Sequence, residues 1–142
     1  MPRLSVWMVR AALVHLVAGF ALGALLLVSR ATALAPDVTA LVRPLHIELL
    51  LLGWLVNLGF GVGYWILPAR PDGSGRDADV QVGAAFALLN AGILLAGIGQ
   101  ALAAPGVIPL LGRVAEAAAA ALFAAHAWRR VRPYGAGRPA AT

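Results

Sequence analysis

Between Arg43 and Arg70 lie 26 residues in which His46, Glu48 and Asn57 interrupt an otherwise apolar run. A helix rises about 1.5 Å per residue, so this stretch crosses a hydrocarbon layer about 30 Å thick with length to spare for tilt. Its polar residues then carry meaning. A histidine, a carboxyl or an amide at such depth costs free energy unless something pairs with it, so each ties helices together or belongs to a site.

The rest of the chain repeats the pattern. Hydrophobic residues make up 61% of its 142 residues, charged residues only 12%, and the mean hydropathy is +0.86, well above a soluble domain. Apolar runs of spanning length fall at about 11–29, 44–68, 80–104 and 107–128. The expected fold is therefore all-α, an integral membrane four-helix bundle forming a single domain over 1–132, with a disordered Pro, Gly and Ala-rich tail over 133–142. Pro36-Asp37 with Thr39 reads as a turn and helix start, and Pro68 as a helix end. Tyr64 and Trp65 are expected at the membrane interface.

All eleven basic residues are arginine. A basic chain suggests nucleic acid only where its charges form a patch, and these do not. Arg3 and Arg10 precede the first span, Arg70 and Arg76 fall between the second and third, and Arg129, Arg130, Arg132 and Arg138 follow the last. Arg30 and Arg43 occupy the opposite side. The positive-inside rule then places both termini in the cytoplasm, in a multi-pass protein of the inner (cytoplasmic) membrane. The run at 11–29 is longer than the apolar core of a secretion signal, and Pro36 would follow any cut at Ala33-Leu34-Ala35, so it is read as a retained span.

With no cysteine, disulfides, thiolate nucleophiles, iron–sulfur clusters and covalently attached haem are excluded. Histidine is the remaining strong ligand for haem iron, and there are three. His15 and His126 are expected at matching depth near the cytoplasmic face, and His46 near the outer one. Gly19 and Gly23 are spaced for close helix approach, as are the glycines at 53, 59, 61 and 63. Arg113 and Glu116 stand one turn apart inside the fourth span, at the level of His46 and Glu48. Two roles are open to Arg113: a bidentate hold on a haem propionate, or a salt bridge to Glu48 that locks the second span to the fourth. Asn57 and Asn90 fall near mid-membrane and are expected to pair as amides, completing a structural polar cluster of Glu48, Asn57, Asn90 and Glu116.

The second span also resembles a family. Arg43-Pro44-Leu45-His46, Asn57 eleven residues on, and Gly61-Val62-Gly63-Tyr64-Trp65-Ile66-Leu67-Pro68 look like the second helix of subunit I of haem-copper oxidases and nitric oxide reductases. That helix carries an axial histidine for the low-spin haem near the outer face, so the resemblance implies that His46 is the iron ligand. The chain departs from the family in having far fewer spans, no histidine cluster for copper or non-haem iron, and no recognisable second axial histidine. Oxygen or nitric oxide reduction by this chain alone is not expected. The reading that follows is a truncated subunit I-like membrane protein that binds haem b, for electron transfer or gas sensing in a respiratory chain. A second reading stays open, a cofactor-free accessory or assembly subunit of a larger membrane oxidase or reductase. The expected partners are the lipid bilayer and a larger respiratory complex or further copies of the chain.

Overall fold

The computed structural model describes residues 1–32, 36–68, 80–128 and 130–131, and they are helical almost throughout, with no strand among the described residues. Helix α1 spans Arg3–Thr32. The second rod is continuous but changes pitch: α2 (Pro36–Glu48), a π-helical segment Leu49–Val56, and α3 (Asn57–Ile66). Helices α4 (Val80–Ala101) and α5 (Val107–Trp128) complete the set. Four of these rods are long and apolar enough to cross a membrane: Arg3–Thr32, Thr39–Ile66, Val80–Ala101 and Val107–Trp128.

Two boundaries differ from the sequence expectation for identifiable reasons. Helix α1 begins two turns earlier than residue 11, because Ser5 and Met8 are buried against the second rod and the Ser5 hydroxyl donates to the Gly61 carbonyl at 2.6 Å. Arg10 does not end the span. Its guanidinium lies 6.0 Å over the Trp7 ring, so the charge is carried along the helix surface. Helix α4 stops at Ala101 rather than near 104. The Ala104 N–H reaches back to the Gly99 carbonyl and that of Ala103 to Gln100, with Ala103 left-handed at φ 48°, a helix-ending pattern in which glycine is the usual occupant. At Leu67 the backbone turns extended just before Pro68 and ends the second rod as expected.

Packing is sequential. Helix α1 lies against the second rod, the second rod against α4, and α4 against α5. Met8, Leu49, Phe60, Tyr64, Leu89 and Ile93 form the centre, and Phe60 stacks on Phe123 of α5 with ring centroids 4.0 Å apart. Tyr64 is fully buried within the bundle, and Arg130 folds over its ring at 5.4 Å. Trp65 beside it is exposed. Large apolar side chains cover the outside, with Val17 71% and Val80 83% exposed, an arrangement that water penalises and lipid does not.

The charges divide between the two ends. Arg3 and Arg10 start α1 and Arg130 closes the far end of α5, bonding the Pro68 carbonyl at 2.8 Å, so these three share one end. Arg30 and Arg43 lie at the other. The arginines at 70, 76, 129, 132 and 138, the connection at 69–79 and the tail expected over 133–142 lie outside the described residues.

Candidate functional site: a histidine cleft and a buried carboxyl pair

The site is shaped first by the π-helical segment. Over Leu49–Val56 the ladder widens, and the Asn57 N–H reaches the carbonyl of Leu52 instead of Gly53, its partner in a regular α-helix. The Gly53 carbonyl is thereby left for side chains. It accepts from Asn57 Nδ2 at 3.0 Å and from His15 Nδ1 of α1 at 3.0 Å. Gly53 has to be glycine for this approach, since a Cβ there would sit 2.7 Å from His15 Cγ.

A second histidine repeats the arrangement in reverse. His46, on the second rod, donates from Nδ1 to the Gly19 carbonyl of α1 at 2.8 Å. Its Cε1–Nε2 edge passes Gly23, where a Cβ would stand 2.8 Å from Cε1 and 3.7 Å from Nε2. Because a carbonyl only accepts, the proton of the neutral ring is held on Nδ1 and Nε2 keeps its lone pair. His46 also lines a cleft of about 610 Å³ between α1 and the second rod, together with Phe20, Leu27, Arg30, Arg43 and Leu50. Arg30 and Arg43 have no ion-pair partner among the described residues. The cleft thus joins an imidazole and two guanidiniums to an apolar wall.

Glu48 is two residues past His46, which on a helix turns it by about 200° to the opposite side. There it is 3% exposed and accepts from Arg113 Nη1 at 2.7 Å. The same nitrogen donates to Glu116 Oε2 at 3.0 Å. Of the two roles open to Arg113, the structure shows the salt bridge: the guanidinium is engaged with both carboxylates against α4, away from the cleft. Room for these side chains comes from α4, where a Cβ on Gly92 would meet Glu116 Cγ at 2.7 Å and one on Gly97 would meet Glu48 Cβ at 3.3 Å. His46, expected at the same level, faces α1 instead. Deeper along the same seam the two amides pair, Asn57 and Asn90 exchanging hydrogen bonds at 3.3 Å.

The expected match of His15 and His126 does not hold. His15 sits opposite Gly53, whereas His126 packs beside Tyr64, ring centroids 5.8 Å apart, eleven residues or about 16 Å farther along the second rod. Because α1 begins at Arg3 and not after Arg10, His15 lies deeper along the bundle than its distance from Arg10 implies. His126 is buried, and its Nε2 accepts from Arg130 Nη1 at 2.6 Å, so that nitrogen is occupied.

Whether a b-type haem fits turns on these positions. A bis-histidine site within one chain does not fit: His126 is engaged at the opposite end, and His15 is wedged into the seam that Gly53 closes. His46 is the histidine that a site with one axial ligand would use: its Nδ1 is fixed by a carbonyl, as metal-ligating imidazoles usually are, and the residue lines the cleft. No group of three or more His, Cys, Asp or Glu side chains converges among the described residues. Arg30 and Arg43 were legible in the sequence only as topology signals. Their clue was that both flank the one short connection that precedes His46. No family model, characterised protein or solved structure matches the chain.

Proposed function

We propose that the chain is a four-span integral membrane protein that holds one b-type haem in the cleft between α1 and the second rod. The observation that carries this reading is His46, with Nδ1 anchored on Gly19 and its ring lining the cleft beside Arg30 and Arg43, neither of which has an ion-pair partner among the described residues. Gly19 orients the ring, and Phe20, Leu27 and Leu50 keep the cleft dry. Arg30 and Arg43 match the two propionates in charge and number. When bound, a haem with a single protein ligand supplies coordination of a small gas as well as one-electron chemistry. Gas sensing is therefore favoured over pure electron transfer, and the place of the protein is in or beside a respiratory chain, in keeping with the resemblance of the second rod to haem-copper oxidase subunit I.

Purified protein reconstituted with haem is expected to show a Soret band that His46→Ala abolishes or converts and His15→Ala leaves intact. Gly23→Leu, which fills the space beside the ring, is expected to weaken binding without changing any ligand. A spectrum unaltered in all three single histidine variants would remove the haem reading.

A second reading has its own observation. Gly59 on α3 and Gly83 on α4 have nothing within 4 Å of a would-be Cβ, so small-residue surface remains on the outside of the bundle, where a helix of a larger complex can pack closely. A cofactor-free accessory subunit would give a featureless visible spectrum and copurify with that complex.

The orientation belongs to the same proposal: both termini cytoplasmic, in the inner membrane, supported by Arg3, Arg10 and Arg130 at one end of the bundle against Arg30 and Arg43 at the other. Cysteine placed at Ser74 should resist impermeant thiol reagents in intact cells, and ready labelling there would reverse the topology.

A further inference from the structure

The buried carboxyl pair has more charge than its one arginine balances. Glu48 and Glu116 are 3% and 8% exposed, and a single nitrogen, Arg113 Nη1, serves both. With both carboxylates ionised the cluster carries a net charge of −1 (two negative, one positive), and no further cation pairs with it among the described residues. The second rod contributes Glu48, α5 contributes Arg113 and Glu116, and α4 presents Gly92, Ala96 and Gly97, none of which titrates. His46, the nearest other titratable group on the second rod, is turned away onto Gly19.

A second observation points to what is missing. Glu116 Oε1 is buried without a hydrogen-bond partner, and because Glu48 Oε1 and Glu116 Oε2 lie 2.7 and 3.0 Å from the same Arg113 nitrogen, the two carboxyls are held side by side. Two carboxylate oxygens are both acceptors, so their approach is repulsive until one of them carries a hydrogen. A single proton carried on Glu116 Oε1 would make that oxygen a donor, let the two carboxyls share an O–H···O bond, and bring the cluster to zero charge.

We propose that Glu48, Arg113 and Glu116 form a proton-binding site that holds one proton between the two carboxyls at neutral pH. Release converts one carboxylic acid to carboxylate plus a free proton and leaves one uncompensated negative charge between the second rod and α5. Arg113, at 46% exposure, marks the side from which the proton exchanges. Ionisable groups buried among spanning helices recur as relays in proton-moving proteins. The site is independent of the haem proposal, since it lies on the other side of the second rod from the cleft.

Infrared spectroscopy of the purified full-length protein in detergent tests this directly. The expected result at neutral pH is a carboxylic-acid C=O stretch that shifts in heavy water and is lost in Glu116→Gln and in Glu48→Gln, because either variant leaves one carboxylate matched by one arginine. Arg113→Lys keeps the charge count and is expected to keep the band. Each glutamine is a neutral mimic of the protonated acid, so the Gln variants should fold, and their failure to fold would count against the proposal. No acid band at neutral pH, or a band unchanged in both Gln variants, would overturn it. So would a thermal midpoint that rises with sodium at constant pH while no acid band is present, which would assign the vacancy to a metal cation.

Discussion

Where α1 crosses the second rod, polar side chains donate to backbone carbonyls: His15 to Gly53, His46 to Gly19 and Ser5 to Gly61. Where α5 crosses α4 and reaches the second rod, backbone meets backbone, and the polar contacts between side chains are ionic. A Cβ on Gly112 would lie 2.5 Å from the Ala96 nitrogen and 2.8 Å from the Gly92 carbonyl, with Arg113 bridging two carboxylates beside it. The first seam leaves a ring nitrogen and two arginines without partners among the described residues, whereas the second ties its arginine to both of its buried carboxylates. One seam is therefore suited to holding a ligand, and the other to fixing the bundle.

The widest separation between the seams is expected from added methyl groups. Gly112→Ala forces two backbones apart, and no side chain can rotate to relieve it. A loss of about 3 kcal/mol is expected, the upper end of overpacking costs. Gly23→Ala presses on the far edge of His46, which can swing away at the cost of its bond to Gly19, about 1 kcal/mol. Thermal or denaturant unfolding in detergent measures both. Equal losses would mean that the seams do not differ in rigidity.

The ion pair comes next. Arg113→Ala strips two buried carboxyls of their only cation, which in a fully buried pair costs several kcal/mol. Because the guanidinium is half-exposed, about 2 kcal/mol is expected, against about 1 kcal/mol for His15→Ala, which leaves Gly53 with the Asn57 amide still bonded. An unfolding midpoint unchanged by Arg113→Ala would show that the arginine reaches water and ties nothing.

These contrasts were unevenly legible in the chain itself. Span lengths were readable because lipid thickness fixes how many apolar residues a helix needs, and the fourth span, 107–128, coincides with α5. The pairing of Arg113 with Glu48 was one of the two roles that the sequence left open, on the cost of isolated charge at that depth. What escaped the sequence was rotation and pitch. The stretch Leu49–Val56 is mostly leucine, so no periodicity marks it as π-helical, yet this widening frees the Gly53 carbonyl for His15. The start of α1 was misplaced because an arginine was taken to mark the membrane edge, whereas Arg10 lies along Trp7.

The smallest effect is expected where both kinds of contact meet, at Asn57 and Asn90. Asn57 is fully buried, but each amide also has a partner within its own helix: Asn57 Nδ2 donates to Gly53 at 3.0 Å and Asn90 Nδ2 to Phe86 at 2.8 Å. Their mutual bonds, at 3.3 Å, are the longer ones. Most of the cost of burying these amides is thus met locally, and the bond across the seam adds little. A double-mutant cycle of Asn57→Ala and Asn90→Ala should give a coupling of about 0.6 kcal/mol, the average for hydrogen bonds between spanning helices. A coupling above about 2 kcal/mol would exceed that range and make the amide pair, instead of the Arg113 bridge, the principal polar tie between the second rod and the α4–α5 half of the bundle.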